Sequence, residues 1–330
     1  MKFKWFFGID ISKLTLDVTL YNESGVKKSK HIKIDNASKG FTELLKWVKK
    51  LKVDVKQSVF CMEHTGTYGL DLQVFFEEKN IAYSAVSPYE IKHSLGITRG
   101  KNDKIDSYKI SYYCQLHAKE LKLSKLSSKK IRSLKLLLNE RNRVVKMQSV
   151  EKQTLTEFKD ISSDLFSERS KQRLKTFSEQ IEQIENEIKS LIESDTEIKK
   201  NYNLVKSVIG IGLVNAVTFI VNTNNFSGFT DGRKYACYSG VAPFEETSGT
   251  SVKGKTKVSH IANKKIKTSL TQASKSAVQY DPELKIYYNR KREEGKEHGT
   301  VMNAVKFKII QRVFAVVKRG TPYVKLRVAG

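Results

Sequence analysis

Apolar positions in the first hundred residues switch between two-residue and 3.6-residue spacing, and the switch points predict an α/β order. WFFGID and TLDVTLYN read as successive strands, NESG as a turn, and VKKSKHIKI as a third strand. Phe41, Leu44, Leu45 and Val48 then recur at helical spacing in FTELLKWVKKL, with Asn36 or Ser38 placed to cap it. SVFCM has the unbroken apolar character of a buried strand. TYGLDLQVFFEE follows as a helix and IAYSAVS as a fifth strand.

Beyond this the pattern becomes helical. NDKIDSYKISYYCQLHAKEL opens on two acids three residues apart. From about Ala118 to Lys200 the chain lacks Pro and Gly, and helix is expected throughout. Leu174, Phe177, Ile181, Ile184, Ile188 and Leu191 fall at alternating steps of three and four, a coiled-coil seam flanked by Glu182, Glu185 and Lys189. The basic helix before it, IRSLKLLLNERNRVVKMQ, is free either to fold back on this seam or to pair with another chain. The last part begins near Tyr202, with a helix-hairpin-helix look in VKSVIGIGLVNAVTFIV. There the GIG turn offers backbone N–H groups to a phosphate, or else joins two packed helices. FSGFTDGRKYACYSGVAPF reads as a short helix and loop, and SLTQASKSAV as a helix.

Charge narrows the partners. Sixty Lys and Arg against 35 Asp and Glu give a net charge of +25 and a pI near 9.7. The excess is clustered: residues 121–153 hold ten basic residues against two acids, and residues 251–330 hold nineteen against five. Such clusters gain from neutralising phosphates and releasing counterions, so a nucleic acid is the expected partner. Three scattered cysteines (Cys61, Cys114, Cys237) supply neither a disulfide framework nor a zinc site, which points to a reducing interior. With no 18-residue apolar run and no secretory leader, a cytoplasmic, nucleoid-associated protein without membrane partners is expected.

Four carboxylates carry the candidate chemistry: Asp10, Glu63, Asp103 and Asp106. Asp10 and Glu63 each end an apolar strand, at the rim of a sheet, while Asp103 and Asp106 share one face of the following helix. Acids in a first helical turn also complement the helix dipole, which accounts for the last two by themselves. Together the four form an oxygen-rich set suited to Mg²⁺, able to brace the oxygens of a phosphodiester. His64 beside Glu63 is expected to pack rather than to touch substrate. Tyr112 and Tyr113 read as one surface and one core residue. Residues 246–257 present Ser248, Thr250 and Ser251 among glycines and lysines. Such a segment is either a solvated basic hairpin or the seat of a serine nucleophile.

The strand order resembles the ribonuclease H-like fold. The succession GIDISKLTLDV, MEHTGTYG, KNDKIDSYKI, VIGIGLVNAVTFI, SGVAPFEETSGTSVKGK and HIANKKIKTSL resembles the IS-one-ten family of insertion-sequence transposases, the DEDD transposases related to Piv and MooV invertases. The resemblance covers nearly the whole chain. It implies a RuvC-like domain over 1–118, a helical coiled-coil oligomerisation region over 119–200, and a mostly helical transposase domain over 201–330. It places the DEDD tetrad on Asp10, Glu63, Asp103 and Asp106 as Mg²⁺ ligands, and the catalytic serine on Ser248 followed by Gly249. Gly240 and Pro243 match the segment before that serine, and Ser251 stands as a second candidate. Ile209 replaces the family's proline before GIG, and Asn263-Lys264-Lys265 departs from its K-x-G-(N/D). Donor and target DNA, a noncoding bridge RNA and a dimer or DNA-bound tetramer are the implied partners. A junction nuclease using water as nucleophile, or a non-catalytic assembly factor, are the rival readings.

Overall fold

The computed structural model describes residues 3–64, 66–95, 102–161, 163–244, 247–248, 252–253 and 257–325. The chain divides into two compact units, Met1–Leu126 and Ser127–Gly330.

The first unit is built on a five-stranded sheet of order β3-β2-β1-β4-β5. Its strands are β1 (Trp5–Ile11), β2 (Thr15–Leu20), β3 (Lys30–Asp35), β4 (Ser58–Glu63) and β5 (Tyr83–Val86). β1, β2 and β3 pair antiparallel, whereas β4 and β5 run parallel to β1, as the five expected strands and the ribonuclease H-like order require. Side-chain alternation then sorts the sheet into two faces. Phe7, Ile9, Leu16, Val18, Phe60 and Met62 face a core shared with helices α1 (Ser38–Lys50) and α2 (Leu70–Glu78). Phe6, Val59 and Cys61 face the other way, onto Ile110, Tyr113 and Cys114 of α4 (Asp103–Leu116). The short α3 (Pro88–Ser94) precedes α4 and packs beside it.

Two local expectations are corrected. Helix α1 starts after Ala37 with no side-chain cap. Asn36 instead donates to the carbonyls of Ser12 and Tyr68, at 3.0 and 2.9 Å, tying two loops together. Residues 118–128, expected to be helical, contain no regular helix. They run past β5, where Ser124 N–H donates to Tyr83 O and Ser84 Oγ donates to Lys122 O. These bonds satisfy the open edge of β5, which outweighs helix propensity in this stretch.

The second unit holds α5 (Lys129–Glu157) and α6 (Asp164–Glu193), an antiparallel hairpin within one chain. Arg141 meets Glu185 and Arg173 meets Glu151, each at 2.7 Å, so positions along one helix rise as the other falls. The seam foreseen from periodicity faces inward, with Ile184 and Ile188 buried against Leu134, Leu137 and Leu138. The same core continues into α7 (Thr196–Lys206), α8 (Leu213–Thr223), α9 (Gly232–Tyr238), α10 (Lys264–Tyr280) and α12 (His298–Arg319). Between α9 and α10 the described residues form two separate pairs of two-residue strands. β6 (Pro243–Phe244) pairs with β9 (Lys257–Val258), and β7 (Thr247–Ser248) with β8 (Val252–Lys253), both antiparallel. α11 (Pro282–Glu293) and α12 were not legible as separate elements.

Asp281 joins three of these elements. It is 2% exposed, accepts the Leu284 N–H to cap α11, and pairs with Arg312 of α12 at 2.7 Å. Removing one partner of a buried ion pair leaves the other charge desolvated. Arg312→Met is therefore expected to cost about 3 kcal/mol of stability, read from urea unfolding. An unchanged midpoint would show that this junction does not hold the helices together.

Candidate active site

The site begins with a glycine. Gly8 lies on the same sheet face as Asp10, and α4 crosses it so closely that a Cβ there would sit 2.1 Å from Ser107 O and 2.2 Å from Ser111 N. Its antiparallel neighbour Thr19 bonds Ser107 at 2.7 Å between buried hydroxyls, pinning the helix at that point. The backbone-to-backbone approach fixes where the start of α4 falls. Asn102 caps that start by accepting the Ile105 N–H, and Asp103 and Asp106 occupy the first turn.

The acids at the sheet rim are set by register. Ile9 pairs with Met62, which puts Asp10 beside Glu63, and Asp10 pairs directly with Asp17 of β2. Three adjacent strands thus present a row of carboxylates, Asp17, Asp10 and Glu63, on the face that α4 covers. Asp10 carries the clearest consequence: burial, then the charges of Asp106, Glu63, Asp103 and Asp17, push its pKa up to about 6. Glu63 is also raised, by burial and then by Asp106. Through-space repulsion of this kind requires the four acids to lie near one another.

Gathered is not the same as closed on one point. Among the described residues no three acids are drawn close enough to hold one ion together. Lysines occupy part of the set: Lys33 spans Asp17 and Asp103, at 3.3 Å to each, and Lys109 meets Asp106 at 3.0 Å. The donor chemistry nonetheless fits a hard divalent cation, since it is all carboxylate oxygen with an excess of negative charge. Sequence reasoning missed Asp17, which is 5% exposed and also bonds His31 at 2.9 Å. Its signal was present in TLDVTL, where an acid alternates with Leu16, Val18 and Leu20 on what would be a second buried face. His64 is exposed rather than packed, at the end of β4. Tyr113 is core and Tyr112 surface, as expected.

The serine segment lies in the second unit. Ser248 ends β7, opposite Val252, with only three residues between the paired strands. The backbone of Ser248 is described; its side chain is not, and Gly249, Thr250 and Ser251 lie outside the described residues. In the GIG turn, Gly210 adopts a φ of +93° and abuts α10, where a Cβ would meet Ala273 O at 2.6 Å. That position joins packed helices, whereas Gly212 has nothing within 4 Å of an added Cβ.

A family model described as a transposase, of the DEDD type of IS110, matches residues 7–160, and a second, of the transposase IS116/IS110/IS902 family, matches residues 202–289. Pilin gene-inverting proteins of Moraxella bovis and Moraxella lacunata are each 25% identical over 327 residues, covering 98% of both chains. An insertion element IS110 uncharacterized 43.6 kDa protein of Streptomyces coelicolor is 28% identical over 127 residues, 38% of this chain and 31% of its own.

Two measurements check the site. Gly8→Ala should push α4 off β1, at a cost of about 1–3 kcal/mol in urea unfolding. Retention of full stability would mean the contact is not tight. The second concerns Asp10, whose folded pKa near 6 exceeds the ordinary carboxylate value. Between about pH 4 and pH 6 the folded state therefore holds a proton that the unfolded state has lost. Stability from this group is complete at low pH and falls as pH rises through 6. In EDTA, the melting temperature of Asp10→Asn minus that of the parent should grow from pH 4 to pH 6 and then level off. A pH-independent difference would refute the raised pKa of Asp10.

Proposed function

This chain belongs to the IS110 family of transposases, and on that premise we propose that it rearranges DNA by strand transfer through Ser248, assisted by Mg²⁺ on the acidic site. The DEDD transposase domain carries divalent-metal dependence with it. Asp10, Glu63, Asp103 and Asp106 would hold the ion, with Lys33 and Lys109 yielding their carboxylates to it. A bound Mg²⁺ supplies polarisation of the scissile phosphate and stabilisation of the leaving oxygen.

The observation that carries this reading is the extent of the similarity to the pilin gene-inverting proteins. It spans the acidic unit and the serine hairpin alike, at 98% of the chain. An inverter must reseal what it cuts, and a covalent serine step provides for that. The Ser248 oxygen forms a bond to phosphorus, the bond to the 3′ oxygen breaks, and the hydroxyl proton leaves to solvent while the 3′ oxygen gains one. The phosphoserine ester conserves the bond for rejoining to a new 3′ end, so no free double-strand break arises. The pairing of β7 with β8 holds the Ser248 backbone opposite Val252.

The nucleophile and the acids belong to different units, about 140 residues apart in sequence, and the chemistry needs both at one phosphodiester. Assembly of protomers is how this reading supplies that. The α5–α6 hairpin supports it, because its outer half exposes Met147, Val150, Phe158, Ile161 and Leu165. These side chains would be covered in a dimer or tetramer. Donor and target DNA are the substrates, and a bridge RNA pairing with both would occupy the remaining basic surface. Among the described residues no helix is long and apolar enough to cross a membrane.

Ser248→Ala and Asp10→Ala should each lower recombination by roughly three orders of magnitude or more while leaving DNA binding in place. With wild-type protein and Mg²⁺, a protein–DNA adduct should survive denaturing electrophoresis and vanish in Ser248→Ala. Cleavage without any adduct would establish the water-using junction nuclease instead. Absence of every Mg²⁺-dependent product would leave only an assembly factor.

A further inference from the structure

The second unit has an open cavity of about 1140 Å³ between the β6–β9 pair and helices α10, α11 and α12. Pro243 and Val258 form one side and Tyr287 another. What sets it apart is the state of its polar groups. Lys306, on α12, is only 7% exposed yet lines the cavity, and among the described residues no carboxylate pairs with it. Burial and then the charge of Lys267, which lines the same cavity, lower its pKa. The acid on the cavity wall, Glu283, is taken by Arg312 at 2.6 Å.

Two further atoms are unsatisfied. Asn303 Nδ2 donates to Val241 O at 2.7 Å, but Asn303 Oδ1 has no partner among the described residues, and neither has Gln311 Nε2. Both atoms are buried and both residues line the cavity. A buried ammonium without a counter-charge and two orphan polar atoms each carry a desolvation penalty that a ligand would relieve. The ligand's chemistry follows from the set. Two lysines call for an anion, while an amide acceptor and an amide donor call for a polar, uncharged edge attached to it. The cavity is also larger than one phosphate needs.

We propose that this cavity is a nucleotide pocket: one phosphodiester phosphate of a bound strand sits against Lys306 and Lys267, with its nucleoside toward Asn303 and Gln311. The proposal rests on the reading that the protein's partners are nucleic acids, and it is independent of the serine chemistry. β6 and β9, which form the cavity wall, flank in sequence the β7–β8 pair on which Ser248 lies.

The test uses the full chain and fluorescence anisotropy with labelled single-stranded DNA and RNA of one sequence, over a range of salt. Lys306→Met removes the charge and keeps the bulk. It should weaken binding about tenfold and flatten the plot of log K against log salt by about one contact. Its melting temperature should be equal or higher, since a buried unpaired charge is gone. Lys200→Met, on the exposed surface, is the control for general charge loss. Equal loss on both strands assigns the contact to the shared phosphodiester, and loss on one names that strand. Unchanged affinity and slope on both, or a lower melting temperature that reveals an internal partner for Lys306, would overturn the proposal. Repeating the comparison in Ser248→Ala separates the two claims. If Ser248→Ala recombines normally the nucleophile is wrong, yet the Lys306 difference still stands or falls on its own.

Discussion

The contact between α4 and β1 at Gly8 is what the acidic site depends on. Strand register alone gathers Asp17, Asp10 and Glu63 in a row, but it cannot bring acids from a helix to the same rim. That requires a helix lying on the sheet with no side chain between the backbones, a demand only glycine meets. The Thr19–Ser107 hydroxyl pair adds the second constraint, fixing the helix along its axis. With both in place, the first turn of α4 arrives over Asp10, and the pKa of that acid rises through burial and then through the charges of the other carboxylates. The fold therefore stores electrostatic repulsion in the arrangement that would hold a metal. Packing around Ile110, Tyr113 and Cys114 is what balances it.

How much of this was legible in the sequence follows from which forces are local. The five strands were readable because alternation is a short-range signal, and acids at strand ends stand out as candidates for the same reason. Asp17 was not, because its position becomes informative only once β2 is known to lie beside β1 with both faces covered. The α6 seam was visible as periodicity, whereas its partner was not, since the same apolar stripe serves a neighbour in the chain or in another molecule. Residues 118–128 misled for a related reason: helix propensity is weak beside the need to satisfy the open edge of β5. α11 and α12 were missed although Asp281-Pro282 is an ordinary helix start. Arg312, which holds the two helices at Asp281, lies 31 residues away and leaves no local trace.

The two units differ in how they carry charge. The acids lie in the first unit, and carboxylates repel phosphates until a divalent cation reverses their field. The dense positive charge lies largely in the second, where residues 251–330 alone carry nineteen basic residues against five acids. Capture of a polyanion and chemistry on it thus draw on different residues. Capture is governed by counterion release and weakens steeply with salt, whereas a metal-filled acidic site, partly buried beneath α4, is screened far less. A chain of net charge +25 can therefore carry an acidic cluster without repelling a polyanion, because attraction is exerted elsewhere. Under the proposed serine step, the same division would put the nucleophile with the basic unit. In that step a serine near lysines in the sequence would meet a phosphate already neutralised, and the acids would act only on the bond that breaks.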